Sequence, residues 1–225
     1  MNNIVKLKNL FLDDNNNVVT IEKLEDHFHE MKILFMMYEC AIKEVKTKLE
    51  ILDAEFKAKS ERNPIEHMTS RVKSPESIIK KLIKKGEKIT ADSIKENLND
   101  IAGIRVICSF IEDIYNIADM LKSQSDITLI KEKDYIKNPK ANGYRSLHLV
   151  VEIPIFFSKH VEPMRVEVQI RTIAMDFWAS LEHKLYYKSI GNLDSDITHE
   201  LKECADIIAS TDLRMQEIQK KVEKL

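Results

Sequence analysis

A basic segment between Arg71 and Lys88 contains residue types that bind polyphosphate. Seven basic residues stand there against two acidic ones. Because steps of three and four residues return to one face of a helix, the polar residues predicted to share that face are Ser77, Lys81, Lys84 and Lys85. Arg71 and Lys73, two apart in an extended stretch, are predicted to point the same way. Guanidinium groups bind phosphate through paired hydrogen bonds, and ammonium groups act as point charges. A solvated basic helix face is the alternative reading of this segment.

Two acidic residues lie beside predicted buried strands. Asp100 stands at a polar helix end, directly before a buried stretch that begins with Ala102 and Gly103. Glu167 lies on the polar side of a strand whose other side is aliphatic. Because Mg²⁺ takes one or two protein carboxylates together with phosphate oxygens, the pair favours metal-assisted phosphoryl transfer. The alternatives are a helix cap or an ion pair with Arg105 for Asp100, and a rim position for Glu167.

A second basic segment, residues 131–148, carries an aromatic ring among cations. It has five basic residues against two acidic ones. The dipeptide Asn142-Gly143 predicts a sharp turn that presents Tyr144 at the start of a strand, where alternation places His148 on the same face. An aromatic ring among cations is typical of a base-stacking platform. The alternatives are a tyrosine packed on a hairpin and an interior histidine with satisfied hydrogen bonds.

The periodicity of apolar residues predicts the elements that position these side chains. Predicted helices cover about 20–57, 75–86, 91–99, 111–124, 173–188 and 194–224. Predicted strands cover 104–110, 127–133, 146–154 and 165–171. Residues 1–18 are predicted to be an irregular segment or a turn. This order indicates an α+β fold with a mixed sheet of about five strands flanked by helices, and long helices at both ends.

Composition favours one folded domain over the whole of 1–225, with helical extensions at about 20–57 and 194–224. Of the 225 residues, 44% are hydrophobic and 32% charged, a balance that excludes a disordered chain. No apolar run approaches the roughly 20 residues that cross a bilayer, and the first residues do not resemble a signal peptide. The three cysteines are widely separated, so no disulfide framework is indicated, and Cys108 is predicted to be a core thiol. We therefore expect a cytoplasmic protein without a membrane partner.

Five strings in a particular order resemble the synthetase domain of the RelA/SpoT-type alarmone synthetases. They are RVKSPES, DIAGIRV, KDYIKNPKANGYRSLH, VEVQIRT and FWASLEH, and the resemblance covers about residues 40–190. It implies a nucleotidyltransferase-like fold and transfer of the β,γ-pyrophosphate of ATP to the 3′-hydroxyl of GDP or GTP. Larger members of that family also carry an HD hydrolase domain, whose His-Asp doublet is not found in this sequence. The chain therefore resembles a small, synthesis-only alarmone synthetase, which implies a homotetramer joined through terminal helices.

The resemblance also implies roles for individual residues. The residues implied to hold ATP are Arg71, Lys73, Ser77, Lys81 and Lys84, with Arg105 on the adenine side. Those implied around GDP or GTP are Lys131, Lys133, Lys140, Asn142, Tyr144, His148, Gln169 and Asp176. Asp100 and Glu167 are the implied catalytic pair and the ligands of Mg²⁺, with Glu167 either taking the proton of the 3′-hydroxyl or sharing the metal. Asp176 departs from the asparagine usual in close relatives, which leaves its contact with guanine open.

Two other functions fit the same residues. A basic and aromatic surface could follow single-stranded RNA, with salt-dependent binding and no need for Glu167. A different nucleotidyltransferase would transfer a nucleotidyl group and release pyrophosphate instead of AMP. The reaction products distinguish these functions from pyrophosphate transfer.

Overall fold

A computed structural model describes residues 21–60, 62–188 and 195–224. The helices are α1 (Ile21–Ser60), α2 (Pro75–Lys85), α3 (Ala91–Asn97), α4 (Ile111–Lys122), α5 (Ile173–Lys188) and α6 (Ser195–Val222). The strands are β1 (Ile65–Val72), β2 (Ala102–Cys108), β3 (Thr128–Asp134), β4 (Leu147–Phe156) and β5 (Val161–Thr172). The irregular segment predicted for residues 1–18 lies outside the described residues. The α+β prediction with long helices at both ends is confirmed.

The five strands form one mixed sheet in the order β1-β2-β5-β4-β3. Strands β2 and β5 are parallel, and every other neighbouring pair is antiparallel. The strand that apolar periodicity did not locate is β1. It lies at an edge of the sheet and buries only Ile65, so its sequence lacks the alternation that marks a half-buried strand. The predicted strand at 104–110 is displaced by two residues from the observed β2.

The aliphatic face of the sheet forms the main core. Ile104 and Val106 of β2 lie beside Val168 and Ile170 of β5, and all four are fully buried. Helices α1 and α4 pack against this face and contribute one face each to the same apolar cluster. Cys108 belongs to that cluster, as predicted, and burial raises the pKa of its thiol. The opposite face of the central strands is left for polar side chains.

Helix α2 has sequence signals at both ends. The Ser74 side chain accepts a hydrogen bond from the backbone N–H of Ser77, and Pro75 occupies the first turn. Gly86 ends the helix in the left-handed region, with φ +78°. Ile78 and Leu82 face the core, and Lys81 and Lys85 lie beside this apolar stripe, each three residues after one of the buried side chains.

Helices α5 and α6 pack on each other in a second, smaller apolar cluster. Trp178, predicted to be a core residue, is 5% exposed there and packs with Ala179 and Ala205. Its indole N–H donates to the carbonyl of Leu201 at 2.8 Å. Both helices also expose large apolar side chains, among them Phe177 on α5. None of the helices in the described ranges has the length and apolar character required to span a bilayer.

Candidate active site

The polar face of the sheet carries two adjacent rows of residues that cross all five strands. The first row, from β1 to β3, is Arg71, Gly103, Glu167, Val150 and Lys131. The second row is Thr69, Arg105, Gln169, His148 and Lys133. Residues two apart on a strand share a face, so both rows lie on one side of the sheet. Strand pairing thus brings residues assigned to the two different nucleotides onto one surface.

An open cavity lies above these rows. Its lining residues are Lys81, Lys85, Asn97, Asn99, Asp100, Lys131, Lys133, His148, Val150 and Glu167. Four lysines from α2 and β3 therefore face two carboxylates across one space. Such a cavity has the charge to receive several phosphate groups and the acids to bind a divalent cation.

Asp100 is held by two lysines that are predicted to bind the ATP phosphates. Lys73 Nζ donates to Oδ2 at 2.6 Å, and Lys81 Nζ lies 2.7 Å from Oδ1. Burial opposes ionisation, but these two ammonium groups outweigh it and lower the pKa of Asp100. The alternative partner considered from the sequence, Arg105, is not the ion-pair partner that the structure shows for Asp100. The carboxylate is therefore ionised at neutral pH and lies next to Lys73 and Lys81, two of the predicted ATP-binding lysines.

Glu167 is half-buried and held through both of its carboxylate oxygens. Gln169 Nε2 donates to Oε2 at 2.8 Å, and His148 Nδ1 lies 3.5 Å from Oε1. Burial opposes ionisation, yet the hydrogen bonds from His148 and Gln169 lower the pKa of Glu167, while the charge of Asp100 acts in the opposite direction. The two acids thus lie close enough to interact electrostatically, although they are far apart in the chain.

Tyr144 lies at the centre of a polar and aromatic cluster at the end of β4 and β5. Its hydroxyl is 2.8 Å from His148 Nε2 and accepts a hydrogen bond from Arg171 Nη2 at 2.5 Å. The Lys140 ammonium lies 4.6 Å from the centre of the ring, and the Tyr135 ring meets it edge-on at 6.0 Å. An aromatic ring with cations around it is therefore present at the predicted stacking position.

Asp176 lies in the first turn of α5 and pairs with two arginines. Its Oδ1 accepts from Arg171 Nη1 at 3.0 Å and lies 3.3 Å from Arg105 Nη1. The Oδ2 atom has a long hydrogen bond of 3.5 Å from the Ser180 hydroxyl. The aspartate at this position therefore has its charge matched within the chain, and one oxygen is left with only a weak contact among the described residues.

Several predicted residues lie outside the cavity lining. The lining includes Lys81 and Lys85 of α2 but not Lys84 or Ser77. Asn142 shapes the loop: its side chain accepts from the Tyr144 backbone N–H at 3.2 Å and donates to Glu182 at 3.1 Å. Arg71 is exposed at the β1 edge, next to the cavity in the first row.

Four residues that line or organise the site were not among the predicted site residues. They are Lys85, Asn97, Asn99 and Arg171. Helical periodicity had placed Lys85 on the predicted polyphosphate-binding face with Lys81, but no nucleotide was assigned to it. Arg171 alternates with Gln169 on β5, but the sequence does not reveal that its other partners come from the loop before β4 and from helix α5.

The loop that carries Tyr144 is fixed by α6. Arg145 donates to Asp206 Oδ1 at 3.0 Å and to the Ala205 carbonyl at 3.3 Å. The preceding Gly143 has φ +89°, and a Cβ added there would lie 2.5 Å from the Cβ of Ala205. Glycine is therefore required at this turn both by the backbone and by the closeness of the helix.

The donor atoms of the cavity suit Mg²⁺ bound together with phosphate. Among the described residues, no group of three or more histidine, cysteine, aspartate or glutamate side chains could hold a metal ion. Asp100 and Glu167 supply two carboxylates, and the buried Asp100 Oδ1 is paired with Lys81 at 2.7 Å by charge, outside hydrogen-bond geometry. Since Mg²⁺ uses one or two protein carboxylates and completes its shell with phosphate and water, the set fits that ion.

The fold and the site define a class of protein: a mixed sheet with a basic, two-carboxylate cavity suited to polyphosphate ligands. A family model described as "Region found in RelA / SpoT proteins" matches residues 70–192. GTP pyrophosphokinase YwaC of Bacillus subtilis strain 168 is 48% identical over 206 residues, which cover 92% of this chain and 98% of that protein. The chain belongs to the RelA/SpoT family, and the resemblance seen in its motifs is confirmed.

Solved structures agree with this assignment. The small alarmone synthetase 2 from Bacillus subtilis matches with a TM-score of 0.78 at 48% identity, covering 85% of this chain and 99% of that one. The small alarmone synthetase 1 from the same organism, bound to its product pppGpp, matches with a TM-score of 0.76 at 36% identity over 83% and 94% of the two chains. The same synthetase bound to AMPCPP matches with a TM-score of 0.73 at 32% identity over 88% and 100%.

Proposed function

We propose that this protein transfers the β,γ-pyrophosphoryl group of ATP to the 3′-hydroxyl of GDP or GTP. The 3′-oxygen forms a bond to the β-phosphorus, the bond from that phosphorus to the bridging α,β-oxygen breaks, and AMP leaves. The products are AMP and ppGpp or pppGpp, with the hydroxyl proton released. The observation that carries the proposal is that Asp100 and Glu167 face one cavity together with lysines from both nucleotide-binding surfaces. The names of the relatives, and the pppGpp and AMPCPP complexes, support the same reaction.

ATP is assigned to the α2 side of the cavity. The residues proposed to bind its phosphates are Arg71, Lys73, Ser77, Lys81 and Lys84, with Arg105 on the adenine side. Lys73 and Lys81 form ion pairs with Asp100. When ATP binds together with a cation, the two lysines can pair with the ATP phosphates and Asp100 can pair with the cation. Lys85 lines the same wall and adds a further ammonium group for the triphosphate.

The guanine nucleotide is assigned to the β3–β4 side. Its base stacks on Tyr144 and replaces the exposed Lys140 from the ring face, because Arg171, the other cation at the ring, is buried and hydrogen-bonded. The residues proposed around its ribose and phosphates are Lys131, Lys133, Lys140, His148 and Gln169. Asn142 contributes by shaping the loop. Asp176 Oδ2 accepts from the guanine N1–H or N2–H₂ group, while Oδ1 stays with the arginines.

Asp100 and Glu167 are the residues proposed to hold Mg²⁺. The ion would neutralise charge that develops on the transferred phosphates and supply a Lewis acid. The hydrogen bonds that lower the pKa of Glu167 make it a weak base, so sharing the cation and orienting the 3′-hydroxyl suit it better than strong proton abstraction. Positioning and charge stabilisation then supply most of the acceleration, as in other phosphoryl transfers.

One product assay tests the proposed reaction. The chain is incubated with labelled ATP, Mg²⁺ and either GDP or GTP, and the nucleotides are separated. We expect AMP together with a guanine nucleotide that carries a 3′-pyrophosphate. Release of inorganic pyrophosphate would identify a nucleotidyltransferase instead. Salt-dependent RNA binding without turnover would identify an RNA-binding module.

We also propose that the chain acts as one synthetase domain without hydrolase activity, in the cytoplasm, and as a homotetramer. Exposed apolar side chains on both helices of the α5–α6 pair support an assembly through this surface. They include Phe177, Leu181, Ile207, Leu213 and Ile218. Light scattering after size-exclusion chromatography should give four times the 26.2 kDa chain mass. A monomer at micromolar concentration would contradict the assembly but not the reaction.

A further inference from the structure

Arg171 lies near the end of β5 with a side chain that is only 5% exposed. A buried guanidinium is costly unless its charge is matched and its N–H groups are hydrogen-bonded. Its acceptors are Ser146 Oγ for Nε (3.4 Å), Asp176 Oδ1 for Nη1 (3.0 Å), and Tyr144 Oη (2.5 Å) and Gln169 Oε1 (3.2 Å) for Nη2. Three of these four partners belong to the proposed guanine site or support Glu167. The arginine is therefore directed toward the site.

Two branches of polar contacts lead from Arg171 to Glu167, one hydrogen-bonded throughout and one that ends in a longer contact. The shorter branch passes through Gln169, whose Nε2 donates to Glu167 Oε2 at 2.8 Å. The longer branch passes through Tyr144 and His148: the Tyr144 hydroxyl is 2.8 Å from His148 Nε2, and His148 Nδ1 is 3.5 Å from Glu167 Oε1. Each oxygen of the carboxylate thus ends one branch, and both branches begin at the same guanidinium.

The chemistry of the groups gives the longer branch a direction. Arg171 can only donate, so the Tyr144 oxygen is an acceptor toward it. The ionised Glu167 can only accept, so His148 donates to it from Nδ1. In the tautomer whose one proton is on Nδ1, His148 Nε2 accepts the hydroxyl proton of Tyr144. Because every group in the branch has one role, loss of the guanidinium leaves the Tyr144 hydroxyl without the donor that orients it.

We propose that Arg171 is a positioning residue that ties the guanine platform at Tyr144 to the carboxylate of Glu167, an inference that rests on the proposed function. A guanine base seated on Tyr144 and a 3′-hydroxyl next to Glu167 belong to the same acceptor nucleotide. A single buried guanidinium that orients both Tyr144 and Glu167 fixes the distance between the stacked guanine base and the reacting 3′-oxygen. Arg171 acts through Tyr144 and Gln169, so it is distinct from a residue that binds the reacting atoms.

The test is Arg171→Lys, which keeps a positive charge but loses the planar fork that serves several partners at once. We expect kcat/KM for GDP or GTP to fall by about 10²-fold, the effect of a roughly 1 Å misplacement of reacting groups. The loss should divide between a higher KM for the guanine nucleotide and a lower kcat, while KM for ATP changes by less than about twofold. A purely structural role would lower the active fraction, and so kcat, and leave both KM values unchanged.

A matched control is Arg62→Lys. Arg62 also forms a bidentate pair with a buried acid, Asp113, at 2.7 Å, and neither residue lines the cavity. This variant should lose stability without changing either KM. An unchanged guanine KM in folded Arg171→Lys would overturn the proposal.

Tyr144→Phe provides a second variant that leaves Arg171 in place. It keeps the ring and removes only the hydroxyl that joins Arg171 to His148, so kcat should fall more than the guanine KM rises. In the double variant with Arg171→Lys, the combined loss should be smaller than the product of the single losses, since both break one branch. If Arg171→Lys does not fold, a wild-type kcat in Tyr144→Phe overturns the proposal. Absence of AMP formation by the unmodified protein would instead refute the proposed function.

Discussion

Gly143→Ala tests whether α6 fixes the loop that carries Tyr144. Gly143 has φ +89°, and its added Cβ would lie 2.5 Å from the Cβ of Ala205. The atom it meets belongs to the methyl group of a buried helix residue, which cannot rotate away. Either the turn or α6 must therefore move. Because Tyr144 directly follows, the proposed guanine site moves with the turn.

Two costs add in this variant. A non-glycine residue in the left-handed region costs about 1–2 kcal/mol, and overpacking a close-packed contact costs about 1–3 kcal/mol. The free energy of unfolding should therefore fall by about 2–5 kcal/mol. Gly86→Ala is the matched control, since Gly86 has φ +78° and an added Cβ meets no described atom within 4 Å. Only the backbone cost of about 1–2 kcal/mol applies there.

Urea unfolding and thermal unfolding of the two variants measure the difference. We expect Gly143→Ala to be less stable than Gly86→Ala by about 1–3 kcal/mol, or about 2–12 °C in Tm for a chain of this size. Adding Ala205→Gly should recover part of the loss, although glycine within a helix costs about 1 kcal/mol. Equal destabilisation of the two glycine variants, with no recovery from Ala205→Gly, would refute the close contact.

Three further predictions concern single residues of the site and of α6. Glu167→Gln should lower turnover by about 10²- to 10⁴-fold without a large change in Tm, because a neutral amide can neither bind the cation as a carboxylate does nor attract the 3′-hydroxyl proton as strongly. Tyr144→Ala should weaken GDP or GTP binding about 10- to 100-fold, the equivalent of 1–3 kcal/mol of stacking, with ATP binding retained in calorimetry. Asp212→Asn should raise Tm at pH 7. Burial raises the pKa of Asp212 despite the hydrogen bond from Thr172, so folding favours the protonated acid and stability is lost as pH rises through the folded pKa.

Each of these predictions has a result that contradicts it. Near-normal turnover in Glu167→Gln would remove this residue from the reaction. A selective loss of ATP binding in Tyr144→Ala would show that the stacking ring serves the other nucleotide. The Tm advantage of Asp212→Asn should shrink as the pH falls through the raised folded pKa of Asp212, because the wild-type acid becomes protonated there. An advantage that stays constant with pH would exclude ionisation as its cause.

The strands and helices that carry the site could be predicted because their signals are local. Alternating Val166, Val168 and Ile170 predict a strand with an aliphatic face, and this periodicity also places Glu167 and Gln169 on the polar side. Strand β1 was not predicted, because it lacks such a local signal. It lies at the sheet edge and buries one residue, so burial left no periodic trace in its sequence.

The sequence by itself determined which residues could bind phosphate, stack a base or hold a cation, because residue type and the period of the chain decide which side chains share a face. The tertiary structure alone decided their partners. It paired Asp100 with Lys73 and Lys81, and it connected Arg171 to Tyr144 and Asp176. These contacts join elements whose order in the sheet differs from their order in the chain. Local periodicity therefore contains no information about them.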